Sequence, residues 1–276
     1  MSSGIIWLAS YPKSGNTWLR AFLANLFSGA EAPFDINKLS DFTMSDMRAL
    51  YFEAVAKRPF DEIDADSLNR LRPAVHRYLA QSRPHNVFVK THHAIGRAGD
   101  VPTITAEVTA GAIYVVRNPL DVAVSFAHHM NLDLDAAITA MNSEENFLPT
   151  GGRIAAQYIS SWRNHVRSWT QAPGLTLQVL RYEDMLERPQ QSFGAVARFL
   201  SVDTTAQRLK RAIRFSSFRE LQAQEAKRGF RERSAVAPAF FREGRKDAWR
   251  QRLSPAQIDA IVSANQEVMA EYGYLP

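Results

Sequence analysis

Residues 4–27 read GIIWLASYPKSGNTWLRAFLANLF. An unbroken apolar run over 4–10 has the length and composition of a buried strand, and the apolar periodicity over 18–27 is helical. Between them stands a turn of Pro12, Lys13, Ser14, Gly15, Asn16 and Thr17. Working outward, three further runs read as buried strands, at 86–90, 112–117 and 175–181, with a helical pattern over 153–169. Asn118-Pro119-Leu120-Asp121 has the form of a helix start: a cap, a proline at the first helical position and an acid in the first turn. Ser254-Pro255 opens a last helix that Gly273 can close. Strands alternating with helices predict an α/β fold, a single domain over 1–276 with a central, mainly parallel β-sheet flanked by helices. Such sheets bind ligands beyond the carboxyl ends of their strands. The residues following the four runs are Tyr11 to Thr17, Lys90-Thr91-His92-His93, Arg117-Asn118-Pro119 and Arg181-Tyr182-Glu183-Asp184, so cations and hydroxyls are expected at one rim.

Composition narrows the chemistry. The chain has 276 residues, 46% of them hydrophobic and 22% charged, with no cysteine. A chain of this size buries roughly three-quarters of its unfolded surface, so no disulfide or structural metal is needed to fold it. The absence of cysteine excludes a thiolate nucleophile, a thiolate-bound metal and a CxxC redox centre. No run approaches the roughly 18 apolar residues of a spanning helix, and the N-terminal residues lack the pattern of a secretory signal, so a cytoplasmic protein without a membrane contact is expected. The adjacent His128 and His129 point about 100° apart on a helix with no suitably spaced carboxylate, so no metal site is expected.

The turn after the first strand is a phosphate loop in physical terms. Successive N–H groups in a tight turn and at a helix start form an anion cradle, which Lys13 completes with a point charge. GxxxxGK[ST] is absent, and Lys13 precedes Gly15, so this is not the Walker sequence. Net charge is +5, but the segment 205–252 alone carries fourteen Lys and Arg against five acids. A field of that sign suits a polyanion.

At Tyr11-Pro12-Lys13-Ser14-Gly15-Asn16-Thr17-Trp18 the sequence resembles the cytosolic sulfotransferases, whose 5′-phosphosulfate loop reads YPKSGTTW. Their 3′-phosphate motif, RNPKDVAVS, is similar to Arg117-Asn118-Pro119-Leu120-Asp121-Val122-Ala123-Val124-Ser125, with Leu120 in place of Lys. The resemblance extends from Tyr11 to Trp249. It implies a phosphate-loop-kinase-like fold, 3′-phosphoadenosine 5′-phosphosulfate (PAPS) as sulfuryl donor, and a small-molecule acceptor. It also implies that Lys13, Ser14, Gly15, Asn16 and Thr17 hold the 5′ end while Arg117 and Ser125 hold the 3′-phosphate. Trp18, Phe218 and Tyr182 become adenine contacts, with Ser216 at a hydroxyl position of the same motif.

Sulfuryl transfer needs in-line positioning, neutralisation of the leaving phosphate and removal of the acceptor's proton. The family's base is a histidine in a Lys-Thr-His motif, matched by Lys90-Thr91-His92. Period-two alternation independently puts Phe88, Lys90 and His92 on one side of the extended chain and His93 on the other. His92 is therefore the expected base, with His93 as the alternative. Lys13 is expected to stabilise the leaving phosphate and Lys90 to assist at the transferring group.

The family's basic motif, RKGxxGDW, is matched only by Arg242, Gly244 and Trp249. Glu243 inverts a charge, and Asp247-Ala248 stands where the family has Gly-Asp. The family's dimerisation motif is not recognisable over 250–261, which leaves oligomeric state open. The stretch 229–244, with Phe230, Pro238, Phe240 and Phe241, reads as a cover over cofactor and acceptor. By position, His128, His129, Phe126, Met130 and Phe147 are candidates to line the acceptor pocket, and the mix of Phe34, Phe42, Met44, Tyr51 and Phe52 suggests an apolar or aromatic small molecule, which would take the sulfuryl group on a hydroxyl or an amine. Two other readings compete: an ATP- or GTP-dependent kinase on a related scaffold, and a nucleic-acid-binding protein using the 205–252 segment.

Overall fold

Ile5, Trp7, Leu8 and Ala9 are all fully buried, as the unbroken apolar run requires of a strand covered on both faces. In the computed structural model, which describes residues 4–233 and 239–276, this strand spans Ile5–Ser10 and lies at the centre of a five-stranded sheet. The strand order is Met44–Ser45, Val87–Thr91, Ile5–Ser10, Thr109–Val116, Leu177–Arg181. The first two pairings are parallel, with Ile5 opposite Val87 and Ala9 opposite Thr91. The α/β class and mainly parallel sheet thus hold, and the short Met44–Ser45 strand is an addition. Pro238 of the proposed cover lies outside the described residues.

Contacts divide the chain into two compact units, each assembled from three stretches. The first comprises Met1–Tyr11, Thr43–Tyr114 and Ala140–Val179. Its core includes Trp7, Phe52, Tyr114, Trp162 and Trp169, all buried, with Trp7 Nε1 donating to Thr109 Oγ1 at 2.9 Å. A helix over Ala65–Ala80 is capped by the Asp64 side chain. The helix expected over 153–169 begins only at Trp162 and runs to Thr170. Upstream, Gln157–Tyr158 pairs with Phe147–Leu148, Ser160 takes a left-handed φ of 56°, and the Ser161 side chain caps the helix by accepting from Asn164 N–H.

The second unit comprises Pro12–Phe42, Val115–Thr139 and Leu180–Pro276. Its helix Asn16–Ser28 buries Leu19, Phe22, Leu23 and Leu26, with Phe22 stacked on Phe193 at 4.2 Å. Arg208 donates to the Leu26 carbonyl at 2.7 Å and Arg211 to that of Gly29 at 2.9 Å, placing cations at the negative end of that helix. Much of the basic segment is paired in this way: Arg211 with Glu31, Arg228 with Asp35, Lys246 with Glu187 and Arg245 with Glu243. The helix Pro119–Met130 starts as expected, the Asn118 side chain accepting from Leu120 N–H, and Pro255–Glu271 opens on a Ser254–Gln257 capping box. Among the described residues, no helix is long and apolar enough to cross a membrane.

Candidate functional site

The phosphate-loop residues and the other expected cofactor contacts all belong to the second unit. Lys13 has a φ of 68° and Gly15 of 110°, so the loop doubles back through two left-handed residues immediately before the helix. A Cβ at position 15 would meet the Tyr182 ring at 2.8 Å, so glycine is needed for space as well as conformation. Gly15 is also the helix N-cap, where no side chain satisfies the first amides and no acid occupies the first turn. Ser14 and Asn16 are buried, and Ser14 Oγ has no hydrogen-bond partner. A buried hydroxyl left in this state at a helix start fits an anionic ligand to which it can donate.

Arg117 follows the Thr109–Val116 strand and reaches back to the loop, donating from Nη1 to the Lys13 carbonyl at 3.1 Å and from Nη2 to the Arg245 carbonyl at 3.3 Å. Its guanidinium lies over the Tyr182 ring at 4.2 Å, and its Nε is buried without a partner. The backbone behind it is held by Glu183, which accepts from Asn118 N–H at 3.0 Å and from the Tyr274 hydroxyl at 2.7 Å. Burial pushes the Glu183 carboxyl above its usual range, opposed by these bonds. Ser125 is half-buried on the helix that Asn118 caps.

Arg242 is pulled below its ordinary value by burial and by the guanidinium groups of Arg252 and Arg117, against the opposing pull of Glu243. Burial, Arg242 and Lys13 likewise lower His128. Several cations therefore press on one another, as in a site that takes up an anion. The departures from the family's basic motif are accommodated. Asp247 keeps the left-handed conformation, at φ 61°, where the motif has glycine, and aspartate tolerates it better than most residues. Glu243 accepts from Arg245 Nε at 2.7 Å and lies 3.7 Å from Arg252.

Aromatic groups complete this set. Trp18 packs edge-on against Tyr182 and Phe193, both at 5.7 Å, with its Nε1 unpartnered. The Phe218 ring lies against Gly244, where a Cβ would come within 2.3 Å of it and φ is 57°. Ser216 turns inward: its hydroxyl donates to the Ala212 carbonyl at 2.9 Å and is fully buried. In the expected cover, Phe230, Phe240 and Phe241 form one cluster, and the Glu225 carboxylate accepts from Phe240 and Phe241 N–H, both at 2.8 Å. Lys13 Nζ sits over the Phe240 ring at 4.0 Å.

The histidine site belongs to the first unit. The strand register that pairs Ala9 with Thr91 carries Ser10 alongside His92, whose Nδ1 lies 2.8 Å from the Ser10 carbonyl oxygen. A carbonyl only accepts, so Nδ1 carries the hydrogen and Nε2 holds a lone pair. Alternation persists as expected, with Phe88, Lys90 and His92 half-buried and Val87, Val89, Thr91 and His93 buried. His93 packs against the Arg72 guanidinium and accepts from Tyr158 N–H at 3.1 Å; burial and then Arg72 push it well below its usual range.

The aromatic residues that suggested the acceptor serve mostly as core. Phe52 and Phe126 are buried, Tyr51 and Met44 nearly so, and Phe34 and Phe42 pack on the cluster containing Ile36 and Leu39. Glu183 and Glu225 carried no sequence signal of their roles, because each accepts from backbone N–H groups that no local pattern brings beside it, and Tyr274 carried none because its partner, the Glu183 carboxylate, is distant in the chain. Among the described residues, no group of three or more His, Cys, Asp or Glu could hold a metal ion.

A family model described as sulfotransferase domain matches residues 4–273. The chain is 24% identical over 281 residues to an amine sulfotransferase of Oryctolagus cuniculus, covering 97% of this chain and 81% of that protein. Among solved structures it is similar to mouse sulfotransferase SULT7A1 complexed with PAP, with a TM-score of 0.62, 21% identity, and 96% and 84% of the two chains covered. It is also similar to retinol dehydratase in a complex with retinol and PAP, at a TM-score of 0.65 and 18% identity, with 98% and 82% covered.

Proposed function

This chain belongs to the sulfotransferase domain family, and we propose that it moves a sulfuryl group from PAPS to a hydroxyl or amine of a small, largely apolar molecule. The observation that carries the reading is the loop of Lys13 to Thr17, with its two left-handed residues, uncapped helix start and unpartnered Ser14 hydroxyl, beside Arg117. These features fit a ligand bearing phosphates at both ends of an adenosine. Bound, PAPS supplies the sulfuryl group and departs as the 3′,5′-bisphosphate.

Lys13, Ser14, Gly15, Asn16 and Thr17 hold the 5′ end, and Arg117, Ser125, Arg242 and Gly244 the 3′-phosphate. Trp18, Tyr182 and Phe218 face the adenine. Ser216 contributes through the backbone turn it fixes, since its hydroxyl is bonded inward. Lys13 places a cation where the leaving phosphate gathers charge, an effect stronger in the transition state than in the ground state. His92 presents its Nε2 lone pair to the acceptor's proton, and Lys90, on the same side of its strand, adds a cation. The retinol named in one structural relative supports an apolar acceptor, and a cytoplasmic setting follows the name of an Arabidopsis thaliana relative, cytosolic sulfotransferase 13.

Calorimetry with 3′,5′-bisphosphoadenosine tests the donor: tight binding is expected, lost when the 3′-phosphate is removed or Arg117 becomes Ala, whereas preference for ATP would overturn the reading. Screening phenols, steroids, amines and retinoids for labelled sulfate uptake identifies the acceptor. His92→Ala is expected to lower kcat by roughly 10²–10⁴-fold with bisphosphate affinity retained; a variant within about threefold of wild type rules out the base.

A further inference from the structure

His165 lies on the Trp162–Thr170 helix, fully buried, and is outside every motif that points to the donor site. Its Nε2 is 3.1 Å from the backbone carbonyl of His92, and its Nδ1 is 2.8 Å from the Tyr114 hydroxyl. The His92 carbonyl only accepts, so His165 Nε2 carries the hydrogen; Nδ1 is then a lone pair and Tyr114 must donate. The line of donation runs from the Tyr114 hydroxyl to His165 and from His165 to the backbone of His92. We propose that Tyr114 and His165 are positioning residues that fix the aim of the His92 ring by holding its backbone in one orientation. The inference rests on His92 being the base.

Two tethers then hold residue 92. Its ring is tied through Nδ1 to the Ser10 carbonyl, and its backbone carbonyl to His165. Neighbouring bonds lock the same turn: Trp169 Nε1 donates to the His93 carbonyl at 2.8 Å, and His93 N–H donates to Thr91 Oγ1 at 3.2 Å. Ring orientation is what proton transfer depends on, because a base must come within hydrogen-bond reach of the proton it removes. Tyr114 enters as the second hydrogen bond to the His165 ring. Burial holds His165 neutral, at about 3 against an ordinary 6.5, so the imidazole has a single hydrogen to place. The His92 carbonyl keeps that hydrogen on Nε2, and the Tyr114 hydroxyl satisfies the lone pair on Nδ1. Without the hydroxyl, that buried lone pair is left unpaired and the imidazole loses one of the two bonds that hold its plane toward the His92 carbonyl. The Tyr11 ring, edge-on to His165 at 5.3 Å, restricts escape of the imidazole to another rotamer.

The experiment is a double-mutant cycle read in kcat, with acceptor KM, bisphosphate affinity and Tm as controls. Tyr114→Phe is expected to lower kcat roughly 5- to 50-fold, leaving KM and bisphosphate affinity within twofold. Added to His92→Ala it should cost nothing further, because the ring it aims is gone. The same loss in both backgrounds means a general structural role and overturns the proposal, as does an unchanged kcat. Should Tyr114→Phe fold poorly, His165→Gln and His165→Leu take its place. The amide keeps one donor and one acceptor, so Gln should retain at least tenfold more kcat than Leu, and equal kcat overturns the proposal. If His92→Ala is fully active, the base assignment fails first. If His92→Ala is slow and Tyr114→Phe is not, the positioning inference alone fails.

Discussion

The carboxylate of Asp121 accepts the backbone N–H groups of both Asp247, at 2.9 Å, and Trp249, at 3.1 Å. Asp121 lies in the first turn of the helix that follows Arg117, so this pair of bonds ties the start of that helix to the turn that follows Arg242 and Arg245. Asparagine has the same shape but one carbonyl oxygen, so Asp121→Asn leaves a buried N–H facing an NH₂ group. An unsatisfied buried donor costs about 1–3 kcal/mol, which for a chain of this length lowers Tm by roughly 3–10 °C. Bisphosphate affinity should fall about 5- to 30-fold with it, because the turn's cations lose their register. Differential scanning calorimetry and titration calorimetry read the two effects; an unchanged Tm and affinity would mean the turn is held by other contacts.

Glu243 places a carboxylate where the basic motif that this segment resembles has a cation. Its hydrogen bond to Arg245, and the nearby charges of Arg245, Arg242 and Arg252, hold its carboxyl below the usual range, so at neutral pH it is fully charged. Removing that charge with Glu243→Gln releases Arg245 and Arg252 and raises the potential around Arg242 and Arg117. Bisphosphate binding should tighten about two- to fivefold at low salt, and the gain should disappear near 1 M salt, where charges are screened within about 3 Å. Weaker binding by the variant at low salt would show that Glu243 organises the turn more than it offsets its charge.

The fold and the donor site were legible to different degrees, for physical reasons. The first strand announced itself because both its faces are covered, which forces the run from Ile5 to Ala9 to be apolar throughout, whereas Val87–Thr91 shows an alternating burial and Leu177–Arg181 is mostly half-buried. The phosphate loop was legible because its turn demands specific residues at fixed spacing, above all Gly15 under the Tyr182 ring. The Ala65–Ala80 helix was not, because its buried face carries Arg72 and His76, and Pro73, a residue that normally ends a helix, lies inside it. Those two polar residues are buried among Asp46, His93 and Thr105, partners that no local pattern can supply. His165 and Tyr114 were hidden for the same reason: a lone buried histidine becomes informative only when the atom it faces is known. Which aromatic residues meet the acceptor was not legible, because apolar side chains such as Phe52 and Phe126, both buried on helices, look the same in sequence whether they line a cavity or fill a core.

Acid stability provides the last prediction. His76, His93 and His165 are buried, and burial lowers all three below 6.5, His165 to about 3. A depressed folded-state value means that these groups are neutral in both states above pH 6.5, so their full contribution is present there. Below it the unfolded chain takes up protons that the fold refuses, and stability is lost as pH falls toward the folded values. Each group can contribute up to about 1.4 kcal/mol per pH unit. The depressed carboxyls of Glu53, Asp64 and Glu243 act in the same direction only near and below their ordinary values of 4.5, 3.8 and 4.5, so the window from 6.5 to 4.5 belongs to the histidines. Asp121 and Glu183 oppose them, because burial raises both and the fold gains protons that the unfolded chain releases. Urea midpoints measured at pH 7.5, 6.5, 5.5 and 4.5 should therefore be level across the first two and fall across the last two. His165→Gln should flatten that fall by close to one proton, whatever its effect on the midpoint at pH 7.5. A variant whose midpoint runs parallel to the wild type from 6.5 to 4.5 would mean that His165 titrates in the folded protein much as it does in the unfolded chain.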